Sequence, residues 1–160
     1  MQRSEDIYVQ KIVIGSDHGG FELKKDLIAF LKGLGFEVAD FGCYSPDPVD
    51  YPDIAFLVAQ TVAPSLETRG ILIDGTGVAS AIVANKVPGI RATPCTDEFT
   101  ATSARSHNNA NILTLGARVV GPGLAQNIVK RWLETSFEGG RHARRLEKIN
   151  DIEKRFLKVT

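Results

Sequence analysis

The chain has 160 residues and balanced charge, with 19 lysines and arginines against 19 aspartates and glutamates. This length suits one globular domain, and the balance provides no overall field to attract nucleic acid or an anionic membrane. The polar start, Met1 to Gln10, lacks a signal-peptide core, and no apolar run approaches the length of a membrane span. Cys43 and Cys95 allow at most one bridge, so we expect reduced thiols in a cytoplasmic protein.

Strand and helix patterns alternate along the chain. Short apolar runs rich in β-branched residues predict five strands, at residues 11–16, 36–41, 71–73, 90–95 and 111–115. Apolar residues at helical spacing predict a helix after each strand. We expect four of these helices to follow residues 20, 50, 77 and 97 and the fifth to begin at residue 122, and we expect a last helix to cover about 141–158.

This alternation predicts one α/β domain over residues 1–160. Its core would be a doubly wound, Rossmann-like, five-stranded parallel sheet in a three-layer α/β/α sandwich, with an extra C-terminal helix. Residues 1–10 would be a tail. The last helix carries an apolar stripe that a completed sheet leaves little room to bury, so we expect it to pack on a second subunit as a dimer arm. The stripe consists of Leu146, Ile149, Ile152 and Phe156.

The segment 70–86 shows the clearest pattern of a functional site. Asp74 directly follows a buried strand, and Gly75-Thr76-Gly77 forms a turn that leads into a small-residue helix. Such a turn lets the backbone approach a ligand, and the helix start stabilises an anion there. Burial should raise the pKa of Asp74, which suits a general base. The alternative is that Asp74 only caps the helix.

Two further patterns concern the same edge of the sheet. Asp17-His18 follows the first strand, so these side chains would share the carboxyl edge with Asp74 and bind a ligand there; the alternative is a helix cap. The Gly-Thr-Gly turn and Asp97 could also belong to a dinucleotide site. Against that reading, the motif follows the third strand, and Ser80 replaces the third glycine.

His107 lies between a helix and the fifth strand, in a loop that could reach the site; the alternative is a structural histidine. Arginines at 141, 144 and 145 open the last helix, where positive charge opposes the helix dipole. That pattern indicates a phosphate ligand, although a solvated basic face is the alternative. The three histidines, His18, His107 and His142, are scattered and lack ligand spacing, so no metal site is predicted.

Taken together, these residues resemble the ribose-5-phosphate isomerase B family, which includes the subunits of galactose-6-phosphate isomerase. The resemblance covers about residues 11–156 and depends on several motifs in the same order. They are Gly15-Ser16-Asp17-His18-Gly19-Gly20-Phe21-Glu22-Leu23-Lys24, Asp50-Tyr51-Pro52-Asp53, Gly75-Thr76-Gly77, Ala84-Asn85-Lys86, Arg105-Ser106-His107-Asn108, Leu115-Gly116-Ala117-Arg118 and Gly139-Gly140-Arg141-His142.

The resemblance implies interconversion of aldose and ketose phosphates through an enediolate, with no metal or cofactor. It implies that His107 opens the sugar ring and that Thr76 helps to stabilise the enediolate. The backbone amides of Gly75, Gly77, Val78 and Ala79 would join Thr76. The implied sugar contacts are Asp17 and Asn108, Tyr51 would line the pocket, and the implied phosphate contacts are His18, Arg118, Arg141 and Arg145. The resemblance also implies a homodimer, or a tetramer, whose sites are shared between subunits.

The sequence departs from the family at the base. Most members have a cysteine where this chain has Asp74, and one subgroup uses a glutamate at the position of Ser80. An aspartate at the position of this cysteine, as Asp74 is here, resembles the A subunit of galactose-6-phosphate isomerase. We expect an isomerase of D-ribose 5-phosphate and D-ribulose 5-phosphate with Asp74 as the base. The alternatives are a galactose 6-phosphate or tetrose phosphate isomerase, a non-catalytic sugar-phosphate-binding subunit and a nucleotide-binding module.

Overall fold

A computed structural model describes residues 9–157, so the N-terminal residues of the predicted tail lie outside it. Five parallel strands form one sheet in the order β2-β1-β3-β5-β4. The strands are β1 (Lys11–Ser16), β2 (Glu37–Asp40), β3 (Thr68–Asp74), β4 (Ala92–Pro94) and β5 (Ile112–Gly116). The helices are α1 (Phe21–Gly33), α2 (Tyr51–Val62), α3 (Val78–Ala84), α4 (Glu98–Ser106), α5 (Pro122–Glu134) and α6 (Arg141–Phe156), and a short 3-10 turn (His18–Gly20) precedes α1.

Helices cover both faces of the sheet, which confirms the predicted doubly wound α/β fold. One apolar core joins the sheet to α1, α4 and α5 and contains the fully buried Trp132. A second core joins the opposite face to α2 and α3. The near-continuous apolar sequences of β1, β3 and β5 follow from this double coverage, because strands buried on both faces need apolar side chains on both.

Four strands differ from the predicted bounds by up to three residues, most of all β3. β3 begins at Thr68 rather than at Ile71, because Thr68 and Arg69 pair with Lys11 and Ile12 of β1 although neither is apolar. β5 lies between β3 and β4, so the last two strands are not in chain order. β4 is therefore an edge strand, where Pro94 is tolerated because one side of the strand needs no ladder hydrogen bond.

Helix α6 folds back onto its own chain. The Glu138 amide donates to the Ser106 carbonyl at 3.0 Å just before the helix, and the Gly89 amide donates to the Glu153 carboxylate at 3.0 and 3.1 Å near its end. Only Leu146 of the apolar stripe is buried. The remaining members are exposed, by 47% for Ile149, 54% for Ile152 and 82% for Phe156. Packing of this stripe on a second subunit stays a prediction.

Both cysteines are free and buried, as expected for reduced thiols. Among residues 9–157, no helix combines the length and the apolar character that crossing a membrane requires.

Candidate active site

Asp17 and His18 lie where β1 ends, beside the end of β3, as the sequence predicted. The Asp17 amide donates to the Ile73 carbonyl at 3.2 Å, and its carboxylate accepts from the Gly20 amide at 3.1 Å. The carboxylate therefore caps the short turn before α1, and its other oxygen remains for a ligand. The His18 side chain is exposed, and its Nδ1 accepts from the Val49 amide at 3.3 Å. That bond makes Nδ1 the acceptor, so Nε2 is the nitrogen left to donate to a ligand.

Asp74 ends β3 and is only 3% exposed. Its Oδ1 accepts from the amides of Thr76 and Gly77 at 2.9 and 2.6 Å, and its Oδ2 accepts from the Ser80 amide at 2.8 Å. The carboxylate is thus the anion that the Gly-Thr-Gly turn and the start of α3 surround. Two of the backbone donors predicted for an enediolate, the Thr76 and Gly77 amides, are occupied by Asp74.

The expected rise in the pKa of Asp74 is wrong. Burial does work to raise the pKa, but hydrogen bonds from Ser80, Thr76 and Gly77 outweigh it and hold the pKa below its ordinary value. The sequence indicated burial correctly and gave no indication that the turn directs its N–H groups at the carboxylate. Asp74 is therefore ionised at neutral pH.

The turn depends on close backbone packing. Gly77 has a φ of +81°, and a side chain there would come within 3.0–3.2 Å of the Leu115 and Gly116 backbone. A Cβ on Gly116 would lie 2.6 Å from the Thr76 backbone. Only glycine fits either position without displacing the turn. The Gly77 carbonyl also accepts from the Thr114 hydroxyl at 2.6 Å, which fixes the turn to β5.

Other predicted residues surround this turn. Thr76 and Val78 are exposed, whereas Gly75 and Ala79 are half-buried. The Arg118 amide donates to the Gly75 carbonyl at 3.0 Å, so Arg118, which follows β5, lies beside the turn. Tyr51, at the start of α2, is 38% exposed and lies at the same edge. We call the group at the carboxyl ends of the strands the carboxyl-edge cluster. It comprises Asp17, His18, Tyr51, Asp74, Gly75, Thr76, Gly77, Val78, Ala79 and Arg118.

His107 lies at the opposite edge of the sheet. It caps the C-terminus of α4, which begins after the carboxyl end of β4 and runs back to the amino end of β5. β3 has seven residues, so at roughly 3.3 Å per residue its two ends are about 20 Å apart. The His107 loop therefore does not reach the carboxyl end of the sheet in its own chain, and a role for His107 in the site stays a prediction.

Side-chain hydrogen bonds brace the loop that carries His107 and Asn108. Asn109 has a φ of +45°, and its Oδ1 accepts from the buried Arg105 guanidinium at 2.9 Å. Arg91 donates through Nε to the Asn108 carbonyl at 2.9 Å and through its terminal nitrogen to the Asn109 carbonyl at 3.0 Å. The backbone of this loop is fixed, while the Asn108 side chain remains exposed.

The His107 ring stacks on His142, with centroids 4.2 Å apart and planes 10° apart. His142 is 5% exposed and belongs to the first turn of α6, between the exposed Arg141 and Arg145. Burial lowers the pKa of His142, and the positive charge of His107, Arg141 and Arg145 lowers it further. A neutral His142 therefore supports the His107 ring.

His142 and Ser103, whose hydroxyl lies 3.3 Å from His107 Nδ1, were not among the predicted site residues. The signal for His142 was present, because it is the last residue of the Gly139-Gly140-Arg141-His142 motif. We call His107, Asn108, Arg141, His142 and Arg145 the amino-edge cluster.

His107, Glu138 and His142 offer ligand atoms within 4.8 Å of one another. His142 Nε2 lies 3.6 Å from a Glu138 oxygen and has no hydrogen-bond partner among the described residues. Nearly parallel imidazoles direct their nitrogen lone pairs side by side rather than towards one point, whereas tetrahedral coordination needs convergent ligands. This arrangement therefore does not fit a metal ion, and a reaction without metal stays a prediction.

Asp97 does not support the dinucleotide reading. Its Oδ1 accepts from the Thr100 amide at 2.7 Å and caps α4. It follows the edge strand β4, which β5 separates from the Gly-Thr-Gly turn after β3. A ribose-binding acid in a dinucleotide site belongs to the strand beside the glycine turn, so the geometry does not favour this alternative.

Comparisons with known proteins agree with this fold. A family model described as Ribose/Galactose Isomerase matches residues 12–149. Ribose-5-phosphate isomerase B of Escherichia coli K12 is 48% identical over 92% of this chain and 99% of its own length. D-erythrulose-4-phosphate isomerase of Pectobacterium atrosepticum is 44% identical over 89% of this chain and 94% of its own length.

Solved structures agree as well. Clostridium thermocellum ribose-5-phosphate isomerase B is 54% identical, with a TM-score of 0.90 and 92% and 100% of the two chains covered. The Mycoplasma genitalium ribose-5-phosphate isomerase B, solved with bound ribulose-5-phosphate, is 46% identical, with a TM-score of 0.88 and 92% and 98% covered. The chain belongs to the ribose/galactose isomerase family and is an isomerase.

Proposed function

We propose that this family member interconverts D-ribose 5-phosphate and D-ribulose 5-phosphate through an enediolate, in sites that two subunits share and with no metal or cofactor. The observation that carries the proposal is the division of the site residues between two edges of one sheet. The carboxyl-edge cluster has the groups for proton transfer at carbon, and the amino-edge cluster has groups for ring opening and phosphate binding. Neither cluster suffices alone.

Proton transfer is the task of Asp74 and Thr76. Asp74 removes the proton from C2 of the open-chain aldose. The electron pair of the C2–H bond forms the C1=C2 double bond, and the π electrons of the C1 carbonyl move to its oxygen. The resulting enediolate oxygen accepts hydrogen bonds from the Thr76 hydroxyl and the start of α3. Asp74 then returns the proton to C1, and a proton moves from O2 to O1, which gives the ketose.

The low pKa of Asp74 is compatible with this role. An ionised carboxylate is ready to accept a proton at neutral pH, although a lower pKa makes it a weaker base. Oδ1 already accepts two amide hydrogen bonds, so Oδ2 has more capacity left for the C2 proton. The bonds to Thr76, Gly77 and Ser80 hold the carboxylate in one orientation, which favours the rate through positioning.

Ring opening and phosphate binding belong to residues from both edges. His107 transfers a proton between the anomeric hydroxyl and the ring oxygen, and its stack on His142 orients the imidazole. Arg141 and Arg145 of one subunit bind the phosphate, together with His18 and Arg118 of the other. Asp17, Tyr51 and Asn108 bind the sugar hydroxyls. Phosphate binding far from C1 and C2 places the reacting carbons against Asp74.

Sharing follows from the distance between the clusters. Since about 20 Å of sheet separates Asp74 from the amino edge, His107 and the arginines serve the Asp74 of a neighbour. A two-fold dimer gives two equivalent sites, each with one cluster from each subunit. The exposed stripe of α6, with Ile149 and Ile152, lies beside the arginines and supplies apolar area for this contact. A tetramer of two such dimers would contain the same sites.

The carbon number follows from relatives and not from the site alone. Relatives named ribose-5-phosphate isomerase B support the pentose phosphate, whereas one relative is named for D-erythrulose 4-phosphate. Tetrose, pentose and hexose phosphates undergo the same proton transfer. The tetrose and galactose 6-phosphate reactions are therefore the nearest alternatives.

The test is a panel of sugar phosphates with the purified chain alone in deuterated water. We expect ribose 5-phosphate to give the highest kcat/KM, and we expect deuterium to enter the carbon skeleton at C1 and C2. Binding of sugar phosphates with no deuterium incorporation would identify a non-catalytic subunit. Turnover of galactose 6-phosphate or erythrose 4-phosphate in preference to ribose 5-phosphate would transfer the assignment to that substrate.

A further inference from the structure

A cavity lies at the amino edge of the sheet, and its lining includes no residue of either cluster. Its volume is about 360 Å³, and it lies between the start of β3, the residues before β4 and β5, and the C-terminal half of α6. We call it the arginine pocket. Its charged and polar lining includes Arg69, Arg91, Lys154, Ser65, Asn150 and Glu153. Its wall on α6 begins at Asn150, eight residues and about 12 Å of helix beyond His142. On the other side it reaches Asn109, which follows Asn108 of the amino-edge cluster.

The lining of the pocket has three basic side chains, Arg69, Arg91 and Lys154, and one acidic side chain, Glu153. Among residues 9–157, neither the Arg69 nor the Arg91 guanidinium has a carboxylate oxygen within 4.0 Å. Burial lowers the pKa of Arg91, and the charge of Glu153 opposes that lowering only in part. Glu153 is the only acid in the lining, and both of its oxygens accept from the Gly89 amide. An excess of guanidinium groups in a concave site favours an anionic ligand.

A third arginine lies behind the wall of the pocket. Arg105 is 5% exposed and donates to Asn109, the same residue that Arg91 binds. Burial lowers the pKa of Arg105 to about 9, and repulsion from Arg69 and Arg91 contributes. The three guanidinium groups thus lie close enough to destabilise one another, and a bound anion would offset that repulsion.

The donors of Arg69 are the ones available to a ligand. Arg91 already donates hydrogen bonds from its Nε and one terminal nitrogen to the Asn108 and Asn109 carbonyls. Arg69 is half-buried and makes no side-chain hydrogen bond within the described part of the chain. Lys154, across the pocket, is 72% exposed and only 3.8 Å from Asp151, a surface contact of small energy that a ligand can replace.

We propose that the arginine pocket is a second anion site, which binds the phosphate group of a small phosphate ester between Arg69 of β3 and Lys154 of α6. Guanidinium and ammonium groups on opposite walls suit a doubly charged tetrahedral anion, and the neutral Ser65 and Asn150 side chains can bind hydroxyl groups of the ester. A volume of about 360 Å³ is within the range for small-molecule sites. The inference does not depend on the proposed function.

The experiment is a titration with inorganic phosphate, followed in the amide NMR spectrum at ionic strength held constant with potassium chloride. The Gly89 and Asn111 amides report on the arginine pocket, and the Gly75 and Thr76 amides report separately on the carboxyl-edge cluster. We expect saturable shifts at Gly89 and Asn111. Arg69→Gln should weaken the affinity for phosphate, as measured at these two amides, about tenfold or more. Arg69→Lys should retain part of that affinity.

The matched control is Arg131→Gln, which removes an arginine of α5 that pairs with Glu98 outside both sites. It should leave the affinity at Gly89 unchanged. Shifts confined to Gly75 and Thr76 would overturn the proposal. An affinity at Gly89 that Arg69→Gln leaves within twofold of the unsubstituted chain would also overturn it, since any binding there would not use Arg69.

Discussion

The two clusters of the proposed site differ in how the protein holds them. The carboxyl-edge cluster is built into the sheet, where Asp74 is 3% exposed and accepts three backbone hydrogen bonds. The amino-edge cluster projects from a helix end and a surface helix, and its Arg141 and Arg145 are exposed. Proton transfer needs a base that is held in one position, whereas phosphate binding needs long side chains that extend from the protein surface to the ligand. Under the proposed function, the carboxyl-edge cluster is the half that one chain completes, and the amino-edge cluster is the half that serves a neighbouring subunit.

The largest expected effect is at Asp74. Asp74→Asn keeps the shape and removes the basicity, so kcat should fall on the order of a hundredfold or more, with KM nearly unchanged. Asp74→Cys should retain or regain activity, because a thiolate is the base in most of the family that this chain resembles. Initial rates and deuterium incorporation measure both variants. Asp97→Asn, which changes an aspartate cap outside both clusters, is the control, and near-native turnover of Asp74→Asn would contradict the base assignment.

His107→Asn should separate ring opening from proton transfer. We expect the rate with ribose 5-phosphate to fall roughly a hundredfold, since general acid–base catalysis of ring opening is lost. The rate with erythrose 4-phosphate should change little, because its phosphorylated O4 cannot close a furanose ring. Ser103→Ala, which removes the contact to His107 Nδ1, should cause a smaller loss of the same kind. Equal losses on both substrates would show that His107 does not act in ring opening.

Subunit mixing tests whether the clusters come from different chains. Asp74→Asn and Arg145→Ala homodimers should each be nearly inactive. After equimolar mixing, half of the dimers are heterodimers, and each has one intact site of two. About a quarter of the wild-type activity should therefore return.

The control for mixing pairs Asp74→Asn with His18→Ala, since both lesions belong to the carboxyl-edge cluster. No heterodimer of that pair has an intact site, so activity should stay at the level of the parents. If the Asp74→Asn and Arg145→Ala mixture also stays at that level despite confirmed exchange, the arginines act within their own chain.

The sequence predicted the fold because apolar runs and helical stripes identify elements that are buried on known faces. It misplaced the start of β3, since Thr68 and Arg69 pair with β1 without being apolar. It could not give the exchanged order of β4 and β5, because side-chain packing between distant segments decides that order. The carboxyl-edge residues were predicted together because each follows a strand, and parallel strands end at one edge.

The edge of the sheet at which His107 lies could have been predicted from the sequence. In a parallel sheet, a loop from a helix to a strand lies at the edge opposite a loop from a strand to a helix, so alternation alone separates His107 from Asp74. The direction in which the pKa of Asp74 shifts could not have been predicted from the sequence. It depends on where the amides of Thr76, Gly77 and Ser80 point, and residue types do not reveal that direction.

The smallest expected effect concerns stability and tests whether the hydrogen bonds to Asp74 are as described. The pKa of Asp74 lies below its ordinary value of 3.8, so the ionised carboxylate stabilises the fold at neutral pH. This contribution is fully present above the unfolded-state pKa and is lost as the pH falls through the lower pKa of the folded state. Asp74→Asn should lower the free energy of unfolding at pH 7 by about 1–3 kcal/mol, because an amide NH₂ meets the Ser80 N–H. Urea unfolding of both proteins between pH 7 and about pH 3 should show this difference narrow only at the acidic end. A difference that stays constant with pH would mean that the pKa of Asp74 is the same in the folded and unfolded states, so the amides of the turn would not stabilise its charge.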